Sequence, residues 1–255
     1  MNYIISASTD VGLVKDTNQD SLFVRALKTP QGRMVFAVLC DGMGGHDKGE
    51  VASASLINAF TEWMNNSLSL ITHEEIEDST IRSQWDEIVT QMNNKIMDYG
   101  HQSGITLGTT VVSLLLTDKR YYVMNVGDSR VYEINDTLKQ ITNDQTVVAN
   151  DLANGLITQE QAEADPRRNV LLQCVGASES VVPDFFYGDT SQNAVYMLCS
   201  DGFRHEITPN EILNGFHPSK MASADEMKTN TDELIETNKQ RKEEDNISVI
   251  TIRTF

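Results

Sequence analysis

The chain has 255 residues, with 20 basic and 37 acidic side chains and a formal net charge of −17. That balance argues against nonspecific binding to nucleic acid or to an anionic membrane, both of which need Lys and Arg to neutralise phosphate. Three cysteines, Cys40, Cys174 and Cys199, show no C-x-x-C spacing, which disfavours a disulfide framework or zinc knuckle, and no apolar run reaches the ~18 residues of a spanning helix.

No linker, repeat or low-complexity tract interrupts the chain, so a single domain over residues 1–255 is expected. The opening residues lack the basic region and apolar core of a signal peptide, which makes the cytoplasm the expected compartment. Residues 2–7 read as a first strand. A polar loop then carries Lys15 and Asp20 into a second strand at residues 21–26; Lys15 could bind an anion and Asp20 a metal, or both could be ordinary solvated loop residues. Residues 35–40 form an unbroken apolar run, the pattern of a strand buried on both faces, and it delivers Asp41 to its end. With no Lys or Arg between Val35 and His46, a bound cation is the most economical partner for that carboxylate. Gly42, Gly44 and Gly45 allow a tight turn that offers a carbonyl oxygen to the same cation. An ordinary strand-to-helix turn is the alternative.

Residues 50–64 place Val51, Ala54, Ile57, Phe60, Trp63 and Met64 at helical spacing. Ile81, Trp85, Ile88, Met92, Ile96 and Tyr99 do the same in a longer helix that Gly100 would close. Three strands follow at residues 111–116, 121–126 and 131–134, and their short connections favour antiparallel neighbours in an α+β architecture. Asp128 lies in the second connection; it could simply cap its own turn, with Arg130 as ion-pair partner. Residues 143–183 read as two short helices and loops, with a capping box at residues 158–161 and a basic spot at Arg167 and Arg168, an excursion suited to a lid or flap. A second apolar run, residues 196–199, ends in Ser200-Asp201-Gly202, and residues 208–211 supply a capped helix start with proline at its first position. A surface helix over residues 232–242 and a closing strand over residues 247–252 complete the chain, with Asp245-Asn246 just before that strand.

Asp20, Asp41, Asp128, Asp201 and Asp245 thus each stand at a strand end. Oxygen-only ligation suits Mg²⁺ or Mn²⁺, whereas zinc would want Cys or His at spacings this chain lacks. No H-E-x-x-H, G-x-x-x-x-G-K-[ST] or G-x-S-x-G is present.

The succession Asn18-Gln19-Asp20, Asp41-Gly42-Met43-Gly44-Gly45, Gly108-Thr109-Thr110, Gly127-Asp128-Ser129-Arg130, Ser200-Asp201-Gly202 and Glu244-Asp245-Asn246-Ile247-Ser248 resembles the metal-dependent protein phosphatase family, also called protein phosphatase 2C or PPM. Order and spacing match over nearly the whole chain, and Pro166-Arg167-Arg168-Asn169 resembles the bacterial branch. The resemblance implies a four-layer α-β-β-α sandwich of two antiparallel sheets flanked by helices, with residues 143–183 as a flap. It also implies two Mn²⁺ or Mg²⁺ ions at one end of the sandwich. Asp41 would bridge both ions, Asp20 and the Gly42 carbonyl would serve one, and Asp201 and Asp245 would hold the other. Asp128 matches a position that joins Asp201 in a third, weaker metal site. The nucleophile would be metal-activated water rather than a side chain, since two cations about 3.5–4 Å apart lower the pKa of a bridging water and shield a phosphate dianion.

The implied activity is hydrolysis of phosphoserine and phosphothreonine in phosphorylated proteins, opposing a bacterial Ser/Thr kinase. A pseudophosphatase that only binds phosphoproteins is the alternative, and the complete aspartate set argues against it. A two-metal phosphodiesterase or nuclease would want a basic groove that a charge of −17 does not favour. Two departures stand out. Lys15 occupies a place where many relatives carry a phosphate-binding Arg, so a looser grip on phosphate is expected. Met43 stands where eukaryotic members carry a His thought to protonate the leaving group; Met cannot do so, and His46 is only a remote substitute.

Overall fold

An unbroken apolar strand must find apolar partners on both of its faces, because successive side chains point to opposite sides of a sheet. The computed structural model, which describes residues 1–44, 48–72 and 76–255, supplies such partners for every long run. Gly45 and His46 of the sequence reading lie outside the described residues.

The strands are β1 (Tyr3–Asp10), β2 (Ser21–Thr29), β3 (Gly32–Cys40), β4 (Gly42–Gly44), β5 (Leu107–Thr109), β6 (Val111–Leu116), β7 (Arg120–Val126), β8 (Arg130–Ile134), β9 (Leu138–Gln140), β10 (Asp184–Asp189), β11 (Val195–Cys199) and β12 (Ile247–Thr254). They form two five-stranded sheets, ordered β1-β12-β11-β8-β9 and β10-β7-β6-β3-β2, and a small β4-β5 pair. Every pairing is antiparallel. The helices are α1 (Gly49–Trp63), α2 (Ser69–Ile71), α3 (Asp78–Ser103), α4 (Val147–Ala153), α5 (Gln159–Ala164), α6 (Asp201–Arg204), α7 (Pro209–Phe216) and α8 (Ala224–Gln240).

Three apolar layers hold these together. Val35, Ala37 and Leu39 of β3 meet Tyr196, Leu198, Ile250 and Ile252 of the other sheet in the sandwich interior. The alternate residues Met34, Phe36, Val38 and Cys40 face outward under Phe60, Trp63 and Trp85 of α1 and α3. On the far side, Val195, Met197, Ile247 and Val249 pack beneath Phe216, Met227 and Ile235. The result is the four-layer α-β-β-α sandwich. All three cysteines are buried and unpaired, and among the described residues no helix is long and apolar enough to cross a membrane.

Three expectations need correction. The long helix runs past Gly100 and is closed by Gly104 in the left-handed conformation at φ 66°. Gly100 stays inside because a Cβ there would lie 2.8 Å from the Ile105 carbonyl, so its role is close packing rather than termination. The last helix begins at Ala224, capped by Ser223, not near residue 232; Met227 is the only large apolar residue of its first two turns, too little to mark a helical stripe. Its buried residues Met227, Thr231, Leu234, Ile235 and Asn238 form the stripe that faces the sheet, and the remainder of this outer helix is exposed or half-exposed. Finally, β7 and β8 are not neighbours: the short link between them carries the chain from one sheet to the other. Gly127, at φ +102°, makes that crossing, and a Cβ on it would lie 2.6 Å from Thr110 Cγ2.

Candidate metal centre

Strand register assembles the site. Ser21 pairs with Cys40, which brings Asp20, just before β2, beside Asp41, just after β3. Cys199 pairs with Arg130 on one side and Val249 on the other, so Asp201 emerges between the β7–β8 crossing, which holds Asp128, and the approach to β12, which holds Asp245. The antiparallel order thus puts these carboxylates at one end of the sandwich.

The backbone around Asp41 is fixed by residues whose own chemistry is not used. The Asp41 carbonyl accepts from the Thr110 N–H at 2.8 Å and from the Thr109 hydroxyl at 2.9 Å, while the Asp41 N–H donates to Thr110 Oγ1 at 3.1 Å. Thr110 in turn meets the Ser129 hydroxyl at 2.8 Å. Gly42 donates its N–H to the Gln19 carbonyl at 3.2 Å. A Cβ on Gly42 would stand 2.4 Å from the Gly49 carbonyl oxygen and 2.5 Å from that of Gln19, so only glycine permits this three-backbone approach.

Asn246 is a fastener that local pattern could not reveal, since its partners lie at the other end of the sequence. Its side-chain oxygen accepts from the Gln19 N–H at 2.8 Å, and its amide nitrogen donates to the carbonyls of Val11 and Thr17 at 2.9 and 3.2 Å. The loop so fastened carries Lys15, whose Nζ lies 3.3 Å from Asp245 Oδ1. Glu243 sets the other side of Asp245: its Oε1 accepts the N–H groups of Glu244 and Asp245, both at 2.9 Å.

A cavity of about 230 Å³ opens at this end, lined among others by Lys15, Asp41, Met43, Asp128, Asp201 and Asp245. Asp20 lies beneath it, 9% exposed. Burial, together with the charges of Asp201 and Asp245, pushes the Asp20 carboxyl up to about 7, against the opposing influence of the Ser248 and Ser200 hydroxyls. Burial and four neighbouring aspartates hold Asp41 well above the carboxylate range. Asp128 is likewise pushed up to about 7, by burial and Asp201, with Arg204 opposing.

Several of these carboxylates are already engaged sideways. Asp245 leans on Lys15, Asp128 on Arg204 at 3.1 Å, and Asp201 Oδ2 is 3.5 Å from His205 Nε2. Accordingly, among the described residues no three His, Cys, Asp or Glu side chains are gathered closely enough to hold a metal ion. The sequence-level partner of Asp128 is also corrected: Arg130 turns to Asp144, at 2.6 and 2.7 Å, and Arg204 serves Asp128 instead.

Metal ligation can nonetheless be tested on atoms that have no other use. Both carboxylate oxygens of Asp20 and Oδ1 of Asp201 are buried without a hydrogen-bond partner. Such atoms cost free energy unless a cation faces them, and an all-oxygen donor set suits a hard divalent ion. The residues present therefore fit Mg²⁺ or Mn²⁺.

Comparison with known proteins agrees with this geometry. The family model for protein phosphatase 2C matches residues 14–242. Serine/threonine phosphatase stp of Listeria welshimeri is 33% identical over 208 residues, 80% of this chain and 79% of that protein. Serine/threonine phosphatase Stp1 from Staphylococcus aureus superposes with a TM-score of 0.84 at 27% identity, covering 100% of this chain and 96% of that one. The catalytic domain of serine threonine protein phosphatase PstP, solved in complex with 2 manganese ions, gives a TM-score of 0.77 at 27% identity over 98% of this chain and 97% of its own.

Proposed function

The chain belongs to the protein phosphatase 2C family and is a metal-dependent protein serine/threonine phosphatase, and we propose which of its residues carry that activity. Two divalent cations would be held by Asp41 in common, with Asp20 and the Gly42 carbonyl serving one and Asp201 and Asp245 the other. The observation that carries this assignment is the set of orphaned carboxylate oxygens on Asp20 and Asp201 in the cluster of aspartates around Asp41. When bound, the ions supply a water of lowered pKa and shield the charge of the phosphate dianion.

The remaining steps belong to the chain's own groups. Lys15 is half-exposed at the cavity rim; it leaves Asp245 to meet the incoming phosphoryl oxygens, as a point charge without the planar fork of an arginine. Met43 forms part of the cavity wall and has no proton to give, so the departing serine or threonine oxygen takes its proton from water. Residues 143–183 act as the flap, for Asn169 and Leu171 border the cavity and Arg168 borders the adjoining surface depression. The substrates are phosphorylated proteins, the opposing enzyme is a Ser/Thr kinase, the ions are Mn²⁺ or Mg²⁺, and the compartment is the cytoplasm.

Phosphate release from a phosphothreonine peptide tests this reading. Activity with Mn²⁺, its loss in EDTA, and a fall of at least a hundredfold for Asp201→Asn in Mn²⁺ are expected, a magnitude typical of losing a catalytic metal's support. Folded wild-type protein with no turnover in any metal would instead favour the phosphoprotein-binding reading.

A further inference from the structure

Asp128 differs from Asp245 and Asp201 in the kind of cation beside it, a largely buried guanidinium rather than the half-exposed Lys15 or the imidazole of His205. Arg204, the last residue of α6, donates from Nη2 to Asp128 Oδ2 at 3.1 Å and to the Asp128 carbonyl, also at 3.1 Å. The same nitrogen is 3.6 Å from Asp144 Oδ2. Asp144 takes a two-pronged bond from Arg130, and Arg130 Nη1 donates onward to the Tyr132 hydroxyl at 2.8 Å. Two carboxylates and two guanidinium groups therefore neutralise one another beside the cavity.

The group is buried: the Arg204 and Asp128 side chains are 12% and 6% exposed. Asp128 Oδ2 already accepts from Arg204, whereas both oxygens of Asp20 and Oδ1 of Asp201 are buried without a partner. A guanidinium keeps its charge at any accessible pH, so a fixed positive charge stands beside Asp128 whatever the protonation of the carboxyl. A divalent ion on Asp128 would have to share a low-dielectric site with that fixed positive charge, where like charges repel strongly. The same four-residue helix begins with Asp201, so the internal cation is covalently tied to a candidate ligand of the centre.

We propose that Arg204 takes the place of a third metal ion, its guanidinium supplying the charge that Asp128 requires, so that this chain holds two divalent cations and no third. The proposal rests on the assignment of the two-ion centre given above. It replaces the sequence-level expectation of a weak third site shared by Asp128 and Asp201.

Counting Mn²⁺ by calorimetric titration and by electron paramagnetic resonance of the free ion decides the matter. Wild type is expected to bind two ions, and Asp128→Asn to bind the same two with affinities within about threefold. Arg204→Gln should gain a third ion, bound at least tenfold more weakly than the other two, and Asp128→Asn added to it should abolish that gain. Arg204→Lys retains the charge and should stay at two. A third ion on wild type that Asp128→Asn removes would overturn the proposal, whether or not the Arg204 variants fold. So would an Arg204→Gln protein, folded by circular dichroism, that still binds only two. Wild type binding no Mn²⁺ at all, with Asp201→Asn indistinguishable from it, would overturn the two-ion assignment itself and this proposal with it, an outcome separate from the others.

Discussion

Asp20→Asn should stabilise the metal-free protein while damaging the metal-loaded one. Asp20 is 9% exposed, neither of its oxygens accepts a hydrogen bond, and burial with the charges of Asp201 and Asp245 raises its carboxyl from 3.8 to about 7. A carboxyl whose pKa is higher in the folded state than in the unfolded state binds more protons when folded. It therefore costs nothing below about pH 4, and the cost grows as pH rises until it levels off above about pH 7. The full value at neutral pH is about 4 kcal/mol; because Asp41, Asp201 and Asp245 share the repulsion and can take up a proton in its place, about 2–4 kcal/mol is the recoverable part. For a domain of this size that is roughly 5–15 °C in melting temperature. Thermal unfolding in EDTA at pH 7.5 should show the variant melting higher by that amount, with the difference shrinking toward pH 4.5. In Mn²⁺ the order should reverse, because only wild type gains the full binding contribution. A variant melting below wild type in EDTA at pH 7.5 would refute the reasoning and show that the Asp20 carboxylate stabilises the metal-free fold.

Two further outcomes bear on separate parts of the site. Lys15→Ala should raise KM for a phosphothreonine peptide about tenfold with a smaller effect on kcat, and Lys15→Arg should lower KM, since a charge-assisted bond to phosphate gains from a planar fork; steady-state kinetics that leave KM unchanged in both variants would remove Lys15 from phosphate binding. Gly127→Ala places a methyl group 2.6 Å from Thr110 Cγ2 at φ +102°, and should cost about 2–4 kcal/mol in urea unfolding. It should also weaken Mn²⁺ binding, because Thr110 holds the Asp41 backbone; an unchanged Mn²⁺ affinity would show that this clamp is not needed for the centre.

The central strands were readable because their runs had to be apolar on both faces, and the aspartates because a charge at the end of such a run has no reason to be there for the fold's sake. Residues 35–40 illustrate both points: their alternate side chains fill two different apolar layers, and Asp41 follows at once. What escaped reading depends on partners distant in sequence. Link length does not reveal that the chain changes sheets at Gly127, because the same few residues could equally close a hairpin. Arg130 lies two residues from Asp128, yet it bonds Asp144, fourteen positions on, while Arg204 reaches back to Asp128 from another helix. Asn246 stands in one of the family motifs, yet its fastening role was not readable, for its side-chain bonds go to Val11, Thr17 and Gln19.

The same contrast explains why the centre needs cations from outside at some positions and not at others. Register fixes where Asp20, Asp41 and Asp201 stand, since moving any of them means slipping a strand and reversing which residues face each apolar layer. The carboxylates therefore cannot drift apart to relieve their repulsion; they can only take up protons or be met by positive charge. The chain meets that demand internally where a basic residue can reach: Arg204 on Asp128, Lys15 on Asp245, His205 on Asp201 Oδ2. Both oxygens of Asp20 are buried without a hydrogen-bond partner, and burial with four neighbouring aspartates holds the Asp41 carboxyl high. A rigid sandwich with unrelieved charge at that one point has local energetics in conflict with its global packing, and such conflict persists where a bound ligand resolves it. Under the proposed assignment, divalent ions held by Asp20, Asp41 and Asp201 would resolve it, and the pairing of Asp128 with Arg204 would leave less there for another ion to relieve.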